Sequence, residues 1–171
     1  MKPVSRLDSF IRRLEAQRAC LDLAAELVGD LDGDVLELGL GNGRTYDHLR
    51  ILFPHREIYV CERTVAAHPD CIPPRQFLFL GDMRETLPAI RAQLVERVVL
   101  AHLDIGNGDS ATSRTLAYEV TPLIVPLLRL NGVLVSEPAV AAGQLVALPL
   151  PSRIEPGRYN LYRRVSCRSL S

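Results

Sequence analysis

At 171 residues the chain fits one domain, long enough to bury roughly 70% of the surface its unfolded form exposes without a disulfide or metal staple. Twenty basic residues balance twenty acidic ones, so no net field favours nucleic acid or an anionic membrane, and 47% hydrophobic with 23% charged residues is an ordinary globular balance. Lys2 is the sole lysine; the other cations are arginines, whose forked guanidinium suits phosphate or carboxylate but equally furnishes a solvated surface. Cys20, Cys61, Cys71 and Cys167 are widely spaced and form no CxxC pair, so they resemble neither a disulfide framework nor a zinc site. Cys20 and Cys61 fall in apolar segments and read as small buried hydrophobes. Charges interrupt the N-terminal stretch where a signal peptide needs its apolar run, and no segment holds about 18 uninterrupted apolar residues. The expected compartment is the reducing cytoplasm.

Helical and strand periods alternate along the chain, the pattern of an α/β domain with a parallel sheet. Leu7, Phe10, Ile11, Leu14, Leu21, Ala24, Leu27 and Val28 recur at three- and four-residue steps, which predicts one long helix ended by Gly29. A strand follows at 34–38 and runs into Gly39. A short helix carries Tyr46, Leu49 and Phe53 on one side and stops before Pro54. The second strand is expected at 57–61, closed by Glu62, and the third at 76–80, after a proline-rich loop. Thr86 is a plausible cap for a helix through Leu94, with Pro88 in its first turn. The fourth strand is expected at 97–103 and ends at Asp104, and Ser110 can cap the next helix. Pro122 argues for a break there, with Thr121 capping a second short helix. Asn131-Gly132 makes a turn into a fifth strand at 133–136. The stretches 144–150 and 158–165 are too close for a helical crossover, so they should pair as an antiparallel hairpin, their prolines suiting a sheet edge.

The strongest chemical signal is the run Glu37-Leu38-Gly39-Leu40-Gly41-Asn42-Gly43 at the end of the first strand. Glycines turn the chain tightly and bring bare backbone close to a ligand, and the helix that follows offers free amides to a carboxylate or phosphate. The dinucleotide fingerprint needs a small residue where Arg44 stands, which disfavours a nicotinamide-dependent enzyme. Glu62 lies nineteen residues after Gly43, just beyond a strand, where a carboxylate can accept both hydroxyls of a ribose. Gly81-Asp82-Met83 follows the third strand, and Asp82 can also be read as a helix cap. His102 and Asp104, two apart on a strand, point the same way.

The spacing acidic-x-Gly-x-Gly-x-Gly resembles the motif of class I S-adenosylmethionine-dependent methyltransferases, with every fixed position filled. The succession over 34–137 is similar to the compact bacterial S-adenosyl-L-methionine methyltransferases. That resemblance implies a single Rossmann-like three-layer α/β domain, with a mostly parallel seven-stranded sheet and an antiparallel C-terminal edge hairpin. Within it, 1–29 forms an N-terminal helix covering the cleft, 34–137 the cofactor-binding core and 138–171 the hairpin. The helix between strands five and six is expected to shrink to 138–143.

The resemblance further implies that Gly39, Leu40, Gly41, Asn42 and Gly43 cradle the methionine part of S-adenosylmethionine and that Glu37 contacts its amino group. Glu62 and the adjoining Arg63 then serve the ribose, and Gly81, Asp82 and Met83 serve the adenine. Asp104 lies beside the cofactor at the switch point between strands one and four, and His102 or Asp104 is the candidate base. Alternatively, Glu37 caps backbone amides and His102 is a hydrogen-bonded core histidine.

Some similar enzymes bind magnesium through acids after strands four and five. Here a single Glu137 precedes Pro138 in place of an Asp-Asn pair, and His48, His55 and His68 are scattered, so no metal is expected. The expected activity is methyl transfer from S-adenosylmethionine, leaving S-adenosylhomocysteine, to a small-molecule acceptor, with neither nucleic acid nor membrane as partner. A cofactor-holding protein without catalysis is the alternative, and a nicotinamide enzyme a weaker one. The cleft needs a roof, which Phe10, Arg13 or Gln17 of the first helix, the loop 105–110 or a second subunit of a homo-oligomer can supply; Tyr46 is a further candidate contact.

Overall fold

In the computed structural model, residues 4–106 and 110–166 are described. Cys167 and the centre of the 105–110 loop lie outside them. Helix α1 (Arg6–Val28) starts at Ser5, whose hydroxyl accepts the Asp8 amide at 2.9 Å, and ends at Gly29 with φ of 43°. Its apolar stripe is only half used. Ala16, Cys20, Leu21, Ala24 and Val28 are buried, whereas Leu7, Phe10 and Ile11 are exposed.

The chain then alternates: β1 (Asp34–Leu38), α2 (Arg44–Leu52), β2 (Ile58–Glu62), β3 (Leu78–Leu80), α3 (Met83–Leu94), β4 (Val98–Leu103), α4 (Ser110–Ile124), β5 (Leu128–Ser136), β6 (Leu145–Ala147) and β7 (Asn160–Arg164). The seven strands form one sheet in the order β3-β2-β1-β4-β5-β7-β6. Strands β1 to β5 pair in parallel, and β7 runs antiparallel to both β5 and β6, making the expected edge hairpin. The order reverses between β1 and β4, the switch point at which ligands bind in such sheets.

Both faces of the sheet are covered, which is why β1 and β4 are buried along their whole length rather than alternately. Val35, Val133, Val135 and Leu161 pack with α1 and α2 on one side. Leu36, Leu38, Ala101 and Leu134 pack with α3 and α4 on the other. The result is a three-layer α/β sandwich. No helix among the described residues is long and apolar enough to cross a membrane.

Several boundaries differ from expectation for local reasons. The third strand loses its start to a 3-10 turn over Arg75–Phe77. Helix α3 begins at Met83 because Asp82 accepts the Arg84 amide at 2.9 Å; Thr86 therefore sits buried inside the helix and Pro88 in its second turn. Helix α4 runs unbroken through Pro122, and the Thr121 hydroxyl bonds back to the Ala117 carbonyl at 2.6 Å instead of capping a new helix. Strand β5 starts at Leu128, so Asn131-Gly132 lies within the strand, with Asn131 at φ of 67° and the β4 pairing shifting register nearby. Residues 138–143 contain no helix at all.

Pro122 is exposed and deprives the Tyr118 carbonyl of its helical donor. Pro122→Ala is expected to raise stability by about 1 kcal/mol, less than in mid-helix because only the last turn is affected. A lower Tm in the variant would show that the ring fits without strain.

Candidate active site

The glycine bend crosses the carboxyl end of the sheet and walls a cavity of about 400 Å³. Gly39, Gly41, Glu62, Arg63, Gly81, Met83 and Asp104 line it, with Ile105, Gly106, Thr112 and Leu116 from the β4–α4 side. The glycines differ in purpose. A Cβ on Gly39 would stand 2.0 Å from the Asp104 carbonyl, and one on Gly43 2.4 Å from the Cys71 Cβ, so those two let chain pack on chain. Gly41 has φ of 52° and nothing within 4 Å of where its Cβ would be. It is bare toward the cavity, as a backbone that receives a ligand must be.

Glu62 fastens the bend from β2. Its Oε2 accepts the Leu40 and Gly41 amides at 2.7 and 3.0 Å, and Oε1 accepts those of Arg63 and Thr64 at 2.6 and 3.2 Å. Asp82 stands between the lining residues Gly81 and Met83 but is not itself on the cavity wall; it caps α3, held by the Arg84 guanidinium at 2.6 and 2.8 Å. The Arg84 guanidinium and amide hold the Asp82 carboxyl well below the usual range. Met83, next in the chain, is buried against the cavity. Leu40 turns into the core and Asn42 outward to solvent.

Beneath the bend runs a buried polar chain. Parallel register sets Glu37 opposite His102, and strand alternation turns both toward α1. Both are fully buried, with His102 Nδ1 2.7 Å from Glu37 Oε2. The other Glu37 oxygen accepts the Thr45 hydroxyl at the start of α2. His102 Nε2 lies 3.2 Å from the Tyr159 hydroxyl, and Gln17 Nε2 bridges that hydroxyl at 2.8 Å to Asp104 Oδ2 at 2.7 Å. Arg13 then donates to Asp104 at 2.7 Å and to Glu137 at 3.0 Å. Burial opposes the Arg13 charge, but the two carboxylates outweigh it and raise its pKa.

The fold, the bare glycine bend and the acids flanking it are joined by a match along the chain. The sequence profile of the S-adenosyl-L-methionine methyltransferases fits residues 4–164. The chain belongs to this family. It is an S-adenosylmethionine-dependent methyltransferase. A solved S-adenosyl-L-methionine methyltransferase from Silicibacter pomeroyi DSS-3 is 48% identical, with a TM-score of 0.89 over 94% of this chain and 98% of that one. The antibiotic-resistance methyltransferase Kmr shares the fold alone, at 12% identity and a TM-score of 0.53 over 87% and 93% of the two chains. No curated protein sequence matches.

Of the residues singled out from sequence, Gly39, Gly41, Glu62, Arg63, Gly81, Met83 and Asp104 share the cavity wall. Glu37 and His102 lie under it without surface of their own. On α1, Arg13 and Gln17 reach the Asp104 end of the cleft, whereas Phe10 is half-exposed and Tyr46 is core. Thr45 and Tyr159 had no sequence signal. Thr45 merely follows the glycines, and Tyr159 reads as one more strand residue. Among the described residues no cluster of His, Cys, Asp and Glu could hold a metal.

Gly41→Ala is expected to cost about 1–2 kcal/mol in stability, from its left-handed backbone, yet to weaken S-adenosylhomocysteine binding more than tenfold in calorimetry. Gly39→Ala should instead act mainly on Tm, since its clash is with the chain. Equal losses of affinity and stability in both would remove Gly41 from the binding surface.

Burial alone would lower the His102 pKa; the touching Glu37 carboxylate and the more distant Asp104 outweigh it, and the pKa lies above its ordinary 6.5. A raised folded pKa adds stability in full below the unfolded value and loses it as pH climbs through the folded one. Unfolding free energy should therefore fall as pH rises from 6.5, and His102→Gln should flatten that slope in urea denaturation. An unchanged slope would show that His102 is not protonated in the fold.

Proposed function

We propose that the enzyme methylates a small molecule held beside Asp104. The observation that carries this reading is a second cavity, of about 410 Å³, lined by Arg13, Glu137 and Asn160 and meeting the glycine-walled one at Gly106. Each is within the volume range of small-ligand sites. The Arg13 bond to Asp104 links the wall of this cavity to the wall of the first.

The first cavity fits S-adenosylmethionine by its donor set: a bare bend at Gly41, a carboxylate at Glu62 and an apolar wall at Met83. Gly39, Gly41 and the amides of the bend would hold the methionine part, with Leu40, Asn42 and Gly43 fixing its curve. Glu62 would take the ribose hydroxyls in exchange for backbone amides it now accepts, with Arg63 alongside. Gly81, Asp82 and Met83 would receive the adenine. Glu37 acts on this site through Thr45, and His102 through Glu37, so both are positioning residues. The bound cofactor supplies an electrophilic methyl group. What the chain must add is an oriented acceptor, worth roughly 7–11 kcal/mol of barrier when well aligned, and a place for any proton the acceptor loses. Asp104 is that place, because its carboxylate is at the junction and is already fixed by Arg13 and Gln17. The described cysteines, Cys20, Cys61 and Cys71, are free, which supports the cytoplasm as its compartment.

Incubation with methyl-labelled S-adenosylmethionine and a panel of small amines, phenols and acids should give labelled product. Asp104→Asn should lower the rate by about 10²-fold or more while leaving cofactor affinity within a few-fold. Tight cofactor binding with no transfer to any acceptor would make the chain a cofactor-holding protein instead.

A further inference from the structure

The second cavity carries more positive charge than its surroundings explain. Among the described residues lining it, three guanidinium groups, Arg13, Arg114 and Arg158, face one carboxylate, Glu137. Arg13 is neutralised twice over, by Asp104 at 2.7 Å and Glu137 at 3.0 Å. The other two are not. Among the described residues Arg114 has no ion pair, and the bond from half-buried Arg158 to the Ser9 hydroxyl is long, at 3.4 Å. Arg75 and Arg91 also lack an acid partner and, like Arg114, are exposed, but neither borders this cavity. Arg114, from α4, and Arg158, from the approach to β7, share one concave wall.

Cations of one sign along a low-dielectric concavity focus their field into it and draw in an anion. The guanidinium fork further favours planar or tetrahedral oxyanions, which it can bind through two parallel N–H bonds. We infer that this cavity is the acceptor site and that Arg114 and Arg158 seat an anionic group, a carboxylate or a phosphate, on the methyl acceptor. The acceptor's other end then points past Gly106 toward Asp104 and the cofactor cleft. The neutralisation of Arg13 by Asp104 and Glu137 keeps the anion away from that junction, so charge also sets which end of the acceptor enters first. This inference rests on the methyltransferase reading of the first cavity and adds the acceptor's chemical class to it.

Calorimetry on the full chain separates the two. With S-adenosylhomocysteine saturating, inorganic phosphate and acetate are titrated separately into the wild type, Arg114→Gln, Arg158→Gln and the double variant. At least one anion should bind the wild type, more weakly as salt rises. Each single variant should weaken it tenfold or more, and the double variant should abolish it, with S-adenosylhomocysteine affinity unchanged throughout. Which anion binds distinguishes a carboxylate from a phosphate acceptor. Equal anion binding by the double variant, or none by a wild type that binds S-adenosylhomocysteine, overturns the anionic acceptor. Failure of S-adenosylhomocysteine to bind the wild type would instead strike the cofactor reading, and the acceptor assignment with it.

Discussion

The contact between Glu37 and His102 organises the cleft from below. Two ionisable groups without solvent exposure meet at 2.7 Å because parallel register and strand alternation leave them no other direction. Removing one partner of such a pair leaves a buried charge uncompensated, typically at a cost of about 3–5 kcal/mol. Each remaining polar atom of the pair also has a protein partner: Thr45 for the acid, Tyr159 for the imidazole. Thr45 opens α2, so the buried acid holds the far side of the glycine bend while Glu62 holds the near side. The bend is thus suspended between two carboxylates, one inside and one at the rim.

From His102 the same chain of bonds climbs to the surface through Tyr159, Gln17 and Asp104 to Arg13 and Glu137. It ties α1 to the ends of β4, β5 and β7, neighbouring strands of the sheet that the helix otherwise meets mainly through apolar packing. Helix α1 therefore docks by more than its apolar side. Its only buried polar residue is Gln17, and that residue joins Tyr159 to Asp104.

Much of this architecture is legible in the amino-acid sequence. The alternating periods place five parallel strands and the edge hairpin, because buried strands and amphipathic helices leave different spacings. The glycine bend and the acids at 37, 62 and 82 are legible because glycines and carboxylates fall at fixed intervals at the ends of successive strands. Boundaries set by side-chain competition are not. Asp82 displaces Thr86 as a cap, since a carboxylate two residues from Arg84 binds both its amide and its guanidinium. Pro122 fails to break α4 because it falls one turn from the end, where few helical bonds remain to be lost. The first turns of α1 read as core yet are exposed, since periodicity marks an apolar face without saying what covers it.

Partnership is harder still to read, and the three acids show why. Glu37, Glu62 and Asp82 look alike in a motif, as carboxylates awaiting a ligand. In the fold each is already satisfied: Glu37 by Thr45 and His102, Glu62 by four backbone amides, Asp82 by Arg84. A carboxylate offers about four lone-pair positions, and the four amides around Glu62 claim all of them. A ribose can engage Glu62 only by exchange, so its hydroxyls gain little net energy over the amides they replace. What such a site gains is geometry, because a bend fixed beforehand spends no ordering entropy when the cofactor arrives. On the proposed reading, affinity then falls chiefly to Met83 and to the open side of Gly41, where apolar surface and the missing side chain surrender no internal contact.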